Sequence, residues 1–165
     1  TEHLEKNGLL DNTLVVITGD HGEEFMEKGR WGHNSTFVDE QVRVPLVLWI
    51  PGKAAQQEKL RTSHTDLLPT LMPLLGVQNP RQDYSVGRSL FDAQPGRVLL
   101  AGDWDRLAFL SEQYKVVLPF TSGSFTALQA SSADDKPLKD SSQVLQSQLP
   151  QIQTEMRDLR RFLAH

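Results

Sequence analysis

An apolar, β-branched run at residues 13–18 passes almost directly into the polar motif Asp-His-Gly-Glu at residues 20–23, and this junction most constrains the fold. The run has the length and composition of a strand that is buried on both faces. In an open α/β sheet, ligands bind beyond the carboxyl ends of the strands. The sequence therefore predicts an α/β fold with a functional site at the end of this strand.

Glycine and capping residues predict the other elements of the first half of the chain. Two choices of N-cap stay open for each of two helices. Ser35 or Thr36 would cap a short helix through residue 41, and Thr65 or Asp66 would cap a helix over residues 67–75. The remaining predicted elements are a helix over residues 2–7, closed by Gly8, and a second strand over residues 43–49.

The second half of the chain has a different pattern. Four short apolar runs separated by turn residues predict an antiparallel meander, at residues 97–101, 107–110, 115–118 and 125–128. An apolar stripe from Leu145 to Leu163 predicts a helix that packs on this meander, and Pro150 marks a kink in the helix or its start. We therefore predict an α/β core with the Asp-His-Gly motif over residues 1–91. A small antiparallel sheet and a C-terminal helix over residues 92–165 would belong to the same domain.

Composition narrows the classes of partner. The 165 residues carry a formal net charge of −4, so no overall positive field attracts a nucleic acid, and we expect no nucleic-acid partner. The absence of cysteine excludes disulfides and thiolate ligands within the chain. No apolar run approaches the roughly 18 residues that span a bilayer. The chain starts abruptly in helix-like sequence, so we expect it to be a fragment of a longer protein.

The residues after the first strand carry the candidate chemistry. Asp20 and His21 offer a carboxylate and an imidazole side by side, which is half of a ligand set for a divalent ion. His33 lies twelve residues further along, between Gly32 and Asn34, and could return to supply a second nitrogen. The alternative is an ordinary loop whose polar side chains satisfy the backbone.

A series of motifs extends over residues 4–91 in a defined order and spacing. It comprises the Asp-His-Gly stretch at 8–23, Gly-His at 32–33, Asp-Glu-Gln-Val-Arg-Val-Pro at 39–45, Ser-His-Thr-Asp at 63–66 and Gly-Arg-Ser-Leu at 87–90. This series closely resembles the sulfatase family of the alkaline-phosphatase superfamily. The remainder of the chain resembles one branch of that family, inner-membrane proteins with an N-terminal transmembrane part.

The resemblance implies that the chain is the C-terminal portion of an alkaline-phosphatase-like fold. It makes Asp20 and His21 metal ligands, and it places His33 against the metal or the sulfate or phosphate of the substrate. Glu23 could orient a ligand histidine. His64, which matches a family motif, would support the site from behind the ligands, unless it serves only a helix cap. The ion would be zinc, manganese, calcium or magnesium, bound weakly or not at all by the fragment.

The resemblance leaves two functions open. One is a metal-dependent hydrolase or transferase of sulfate or phosphate esters, in which the nucleophile lies upstream, so that no catalytic residue is expected in this chain and the fragment alone is inactive. The other is a catalytically inactive regulatory or lipid-binding module in lipopolysaccharide and cardiolipin homeostasis. Either way, the implied partners are the upstream half of the same domain, a transmembrane region and a lipid or an ester ligand, at the periplasmic face of the bacterial inner membrane.

Overall fold

A computed structural model describes residues 2–119 and 129–163 of the chain. These residues divide into two units, Thr1–Glu58 and Lys59–His165, so the boundary predicted at residue 91 falls inside the second unit. Hydrogen bonds explain why residues 59–91 belong with the sheet that follows them: the Arg61 guanidinium donates to the carbonyl oxygen of Ser111, and Arg97 pairs with Asp66. That both parts form one domain stays a prediction.

The first unit consists of two short helices and two pairs of strands. Its elements in chain order are α1 (Glu2–Lys6), β1 (Val15–Thr18), β2 (Glu24–Phe25), β3 (Trp31–Gly32), α2 (Asp39–Val42) and β4 (Leu46–Trp49). Strand β1 pairs antiparallel with β4, and β2 pairs antiparallel with β3 to form a hairpin. The predicted first helix and both predicted strands of this unit are thus confirmed. The hairpin lies in a stretch that showed no strand pattern in the sequence.

The prediction that the first strand is buried on both faces is wrong for the described residues. Ile17 is 59% exposed, and Val47 on the paired strand is 56% exposed. Strand β1 has β4 as its single strand neighbour among the described residues, and a two-stranded ribbon cannot cover both of its own faces. The apolar composition of β1 therefore leaves a hydrophobic face exposed in this part of the chain.

The predicted cap of the short helix is also wrong. Helix α2 begins at Asp39, with Val38 in the N-cap position and no side-chain capping bond. The Ser35 hydroxyl instead accepts a hydrogen bond from the side-chain amide of Gln41, at 2.8 Å. Ser35 and Thr36 thus lie in the loop before the helix, because the amide of Gln41 supplies the polar partner that a helix terminus would otherwise offer.

A buried carboxylate organises the start of the second unit. A 3-10 turn (His64–Asp66), capped by Ser63 in a reciprocal capping box with Asp66, leads into helix α3 (Leu67–Leu74). Asp66, one of the two predicted caps, occupies the N-cap position of α3 but makes no side-chain capping bond there. The Asp66 side chain accepts the N–H groups of Ser63 and Arg88, each at 2.8 Å, and pairs with Arg97 at 2.8 Å. The motifs at residues 63–66 and 87–90 are therefore joined through one side chain.

The rest of the second unit is the predicted meander and its helix. The strands β5 (Leu99–Gly102), β6 (Arg106–Leu110), β7 (Tyr114–Pro119) and β8 (Gln129–Ser132) pair antiparallel in that order. The first three strands overlap predicted runs, whereas the fourth predicted run, at residues 125–128, lies outside the described residues and β8 was not predicted. Helix α4 (Ser141–Leu163) packs against the sheet as predicted, and its Ile152 is buried with Val98, Leu107, Phe109 and Val116.

The helix passes through Pro150 instead of starting there. Proline removes one N–H from the helical ladder and leaves the carbonyl four residues earlier without that partner. Pro150 and Gln146 are both exposed, so water can bond this carbonyl and the helix continues. Within residues 2–119 and 129–163, the helices lack the combination of length and apolar composition that crossing a bilayer requires.

Ile152 is the contact of α4 with the sheet whose loss can be measured most directly. It is 3% exposed, and the change Ile152→Ala would leave a cavity against the sheet. We expect a loss of about 3 kcal/mol in the free energy of unfolding, measured by urea denaturation of the intact protein. The neighbouring change Gln153→Ala, at an exposed position, should stay within about 0.5 kcal/mol of wild type. Equal losses for the two variants would contradict the packing.

Asp103 gives the turn between β5 and β6 a dependence on pH. Burial raises the pKa of its carboxyl, but hydrogen bonds from the Arg106 guanidinium and from the N–H groups of Asp105 and Arg106 outweigh burial and hold the pKa below 3.8. A carboxyl whose folded pKa is lowered stabilises the fold above its unfolded pKa, and this stabilisation is lost as the pH falls through the folded pKa.

The change Asp103→Ala should therefore cost about 1–3 kcal/mol of unfolding free energy near neutral pH, because it removes hydrogen bonds to a charged acceptor. The difference from wild type should shrink as the pH is lowered below 3.8, the usual pKa of the group. Urea denaturation at a series of pH values tests this. Asp105→Ala, which removes a mostly exposed carboxylate, is the matched control, and a pH-independent difference for Asp103→Ala would count against the assignment.

Candidate functional site

The hairpin β2–β3 brings two of the candidate residues opposite each other. Its register pairs Glu24 with Gly32 and Phe25 with Trp31, so Glu23 and His33 occupy the next position along the ladder. Successive side chains on a strand point to opposite faces. Glu23 and His33 therefore share one face of the hairpin, and Glu24 lies on the other.

A cluster of three side chains forms on the Glu23 face. The ligand atoms of His21, Glu23 and His33 all lie within 4.8 Å of one another. The two imidazole rings are 4.0 Å apart between centroids and tilted by 31°, and His33 Nδ1 is 2.8 Å from Glu23 Oε2. The structure thus brings His21, at the end of the first strand, together with His33, as a shared site requires.

Both histidines have the same nitrogen occupied by an oxygen acceptor. His21 Nδ1 lies 2.9 Å from the carbonyl oxygen of Gly22, and His33 Nδ1 lies against the carboxylate of Glu23. A carbonyl or carboxylate oxygen only accepts, so Nδ1 carries a proton in each ring, and Nε2 is the nitrogen left to bind a metal ion. This is the arrangement in which a neighbouring oxygen fixes the tautomer of a metal-binding histidine.

Asp20 lies beside His21, and its Oδ1 accepts the backbone N–H of His21 at 3.1 Å. Its Oδ2 is 3.7 Å from His21 Nε2, and its side chain is 90% exposed. The backbone N–H groups of Asp20 and His21, and the nearby imidazole of His21, hold the pKa of the Asp20 carboxyl below 3.8. The group is therefore ionised at neutral pH, as a ligand for a cation has to be.

Glu24, on the opposite face, is fully buried and belongs to a hydrogen-bond network that the sequence did not reveal. Its Oε1 accepts the N–H groups of Lys28 at 3.0 Å and Arg30 at 2.9 Å, and its Oε2 accepts the side-chain amide of Gln41 at 2.8 Å. Burial raises the pKa of this carboxyl, but the hydrogen bonds from Gln41, Arg30 and Lys28 more than compensate and lower it below 4.5. Gln41 falls within the motif at residues 39–45, but the sequence assigns it no partner, because its side-chain partners lie five to seventeen residues away.

Two glycines fit the backbone to this arrangement. A Cβ atom at residue 22 would lie 2.1 Å from the carbonyl oxygen of Glu40, so only glycine lets the motif approach helix α2, where the Gly22 N–H donates to Gln41. Gly32 has a φ of +98°, and Asn34 has a φ of +60°. His33 therefore lies between two residues in left-handed conformations, which suit glycine and asparagine.

His64 lies in the second unit, in the 3-10 turn between Ser63 and Asp66, and its side chain is exposed. The capping box around it is formed by Ser63 and Asp66. A role of His64 in supporting the metal ligands stays a prediction, and so does the assignment of Asp20, His21 and His33 as ligands.

Comparison with known proteins agrees with this fold. Residues 1–77 match the family model described as Sulfatase. A Bacteroides thetaiotaomicron protein of a glycosaminoglycan-metabolism locus superposes with a TM-score of 0.71 at 20% identity, over 96% of this chain and 40% of its own. Bacteroides fragilis yidJ, assigned to the sulfatases, superposes with a TM-score of 0.70 at 22% identity, over 98% of this chain and 38% of its own. In sequence over residues 1–77 and in fold over nearly its whole length, the chain thus resembles the C-terminal part of a domain of the sulfatase and alkaline-phosphatase superfamily.

Within this superfamily, the chain resembles the inner membrane protein YejM of Salmonella typhimurium, with 36% identity over 119 residues, or 70% of this chain. It also resembles the choline-sulfatase of Rhizobium meliloti, with 36% identity over 74 residues, or 45% of this chain. The chain spans 20% of the length of YejM and 14% of the length of the choline-sulfatase.

The close approach at residue 22 can be tested directly. The change Gly22→Ala would force the motif away from Glu40, so we expect a loss of about 1–3 kcal/mol in the free energy of unfolding of the intact protein. The matched control is Gly102→Ala, where an added Cβ meets its nearest neighbours at 3.8 Å, an ordinary contact distance. Equal stability of the two variants in urea denaturation would show that the approach is not needed.

Proposed function

We propose that this chain is the C-terminal part of a sulfatase-like domain that hydrolyses or transfers sulfate or phosphate esters with a divalent metal ion. One observation carries the proposal. The imidazoles of His21 and His33 lie together, each with Nδ1 held by an oxygen and Nε2 open, beside the ionised carboxylate of Asp20. Two imidazoles and a carboxylate are a donor set that suits zinc or manganese.

The roles follow from what each side chain contacts. His21 and Asp20 would hold the ion, and His33 would contact either the ion or the anionic group of the ester. Glu23, which accepts from His33 Nδ1, would fix the orientation of that ring rather than bind the ion itself. A bound ion would supply positive charge that stabilises negative charge on the oxygens of the transferred group.

The remaining machinery would come from an upstream half of the same domain, including the nucleophile and further acidic ligands. Exposed apolar side chains on the β1–β4 pair support this partner. Ile17, Val47 and Trp49 are 59%, 56% and 41% exposed, which is unusual for residues of a strand pair that follows an apolar pattern. On this proposal the fragment alone neither turns over an ester nor holds its ion firmly.

Membrane association rests on the similarity to YejM, an inner membrane protein matched over 70% of this chain. We place the domain at the periplasmic face of the inner membrane, attached through a transmembrane region outside the described residues. The ester ligand would then be a lipid or another sulfate or phosphate ester found at that surface.

A second function is a catalytically inactive module that keeps the fold and regulates lipopolysaccharide or cardiolipin levels, or binds the lipid itself. YejM is named for its place in the inner membrane, while the choline-sulfatase is named for an activity, and both are similar to this chain. In this alternative, Asp20, His21 and His33 would serve structure rather than turnover. Fold alone does not decide between them.

Metal titration of the intact protein tests the first function. Asp20→Ala, His21→Ala and His33→Ala should each weaken the binding of Zn²⁺ or Mn²⁺ about 10-fold or more in calorimetric titration, since each removes a ligand or an ion-facing group. His3→Ala, at an exposed histidine of α1, is the control. Wild-type affinity in all three variants would refute the proposed ligand set.

The same variants separate the two functions in cells. In a strain that lacks the gene, the first function predicts that the three alanine variants fail to restore growth although they are expressed at normal abundance. It also predicts that hydrolysis of a nitrophenyl phosphate or sulfate by the intact protein is lost on chelation. Full rescue by all three variants, together with no hydrolysis, would support the regulatory module instead.

A further inference from the structure

We propose that Gln41 is a positioning residue of the candidate metal centre, whose side chain holds His33 in the place where its Nε2 can meet an ion. The inference rests on the proposed metal-binding function. It assigns a role to a residue that the sequence left without one. The role rests on contacts with the segments that precede and follow the hairpin.

Gln41 bonds to both segments that carry the candidate ligands. Its backbone carbonyl accepts the N–H of Gly22 at 2.9 Å, next to His21 in the chain. Its side-chain Oε1 accepts the N–H groups of Ser35 and Thr36, both at 3.1 Å, just after His33. The two ligand segments are thus fixed to the same residue of α2, by its main chain on one side and its side chain on the other.

The amide of Gln41 has one orientation that satisfies every neighbour. Its Nε2 donates to Glu24 Oε2 and to Ser35 Oγ, each at 2.8 Å, while Oε1 accepts two backbone N–H groups. All the donors and acceptors of the primary amide are therefore used. Gln41 is 3% exposed and Glu24 is 0% exposed, so water cannot replace a missing partner. This leaves the amide no alternative rotamer that keeps its bonds.

The side chain acts on the loop of His33 rather than on the motif. A change to alanine would keep the backbone carbonyl that Gly22 uses, and would remove the three side-chain bonds to Ser35 and Thr36 and the one to Glu24. His33 follows a glycine with φ +98° and precedes an asparagine with φ +60°, so its loop has an unusual backbone that needs such external support. The expected consequence is a displaced His33 beside an intact Asp20-His21 pair.

The chemistry also requires an amide at residue 41 opposite a carboxylate at residue 24. The change Gln41→Glu would set an acceptor against the acceptor Glu24 Oε2 and leave no donor between them. The double exchange Glu24→Gln with Gln41→Glu restores the pattern. The new amide at residue 24 would accept from Lys28 and Arg30 and donate across the gap, and the new carboxylate at residue 41 would accept from the loop.

The experiment measures Zn²⁺ and Mn²⁺ dissociation constants of the intact protein by calorimetric titration, at a temperature where circular dichroism shows every variant folded. Gln41→Ala and Gln41→Glu should each weaken binding about 10-fold, as the loss of a residue that orients a ligand does. The double exchange should recover most of the affinity. Val16→Ala in β1, which lowers stability without touching the network, should bind as wild type does.

A coupling test distinguishes positioning from a general loss of structure. In a His33→Ala background, Gln41→Ala should lower the melting temperature as before but produce no further loss of metal affinity, because the residue that it positions is already absent. Additive losses of affinity, or wild-type affinity in Gln41→Ala, would overturn the inference while the metal site stands. If the wild-type protein binds neither ion, the proposed function fails, and this inference fails with it.

Discussion

Burying a carboxylate requires that several hydrogen-bond donors converge on it, and in each unit of this chain one such carboxylate joins segments that are distant in sequence. Glu24 accepts from Lys28, Arg30 and Gln41 in the first unit. Asp66 accepts from Ser63, Arg88 and Arg97 in the second. An unmatched buried charge is costly, so every donor segment is held in place as soon as the acid is buried. Segments distant in sequence are thereby fixed to one another by a single side chain.

Local patterns in the sequence were sufficient to predict the elements that are marked by regular apolar spacing or by turn residues. The strand after Asp11-Asn12, the meander of the second unit and the amphipathic terminal helix all follow from spacing and turn residues. The failures occurred where a polar residue had two possible partners. Ser35 is as suitable for capping a helix as for bonding an amide, and the sequence does not show that Gln41 would be within reach. The prediction that β1 is buried on both faces failed for a related reason. An apolar run indicates that the strand is buried by some other segment, but it does not show which segment that is.

The same distinction applies to the site. The position of Asp20 and His21 after a strand, and the return of His33, could be read from order and spacing, and the structure brings His21 and His33 together. Glu23 was expected to orient a ligand histidine, but the different faces of Glu23 and Glu24 could not be predicted, because a two-residue strand gives no periodic signal. Only the register of the hairpin shows that Glu23 faces His33 and that Glu24 faces away. The motifs at 63–66 and 87–90 are likewise separate in the sequence, and only the fold joins them at Asp66.

The tip of the β2–β3 hairpin has a property that follows from the reach of Glu24. Oε1 of Glu24 accepts the N–H groups of both Lys28 and Arg30. Both bonds can form only when the turn has this number of residues. An insertion of a single residue would exchange the inward and outward faces of β3. The length of the tip is thus fixed by Glu24, a side chain that lies on the face of the hairpin opposite Glu23 and His33.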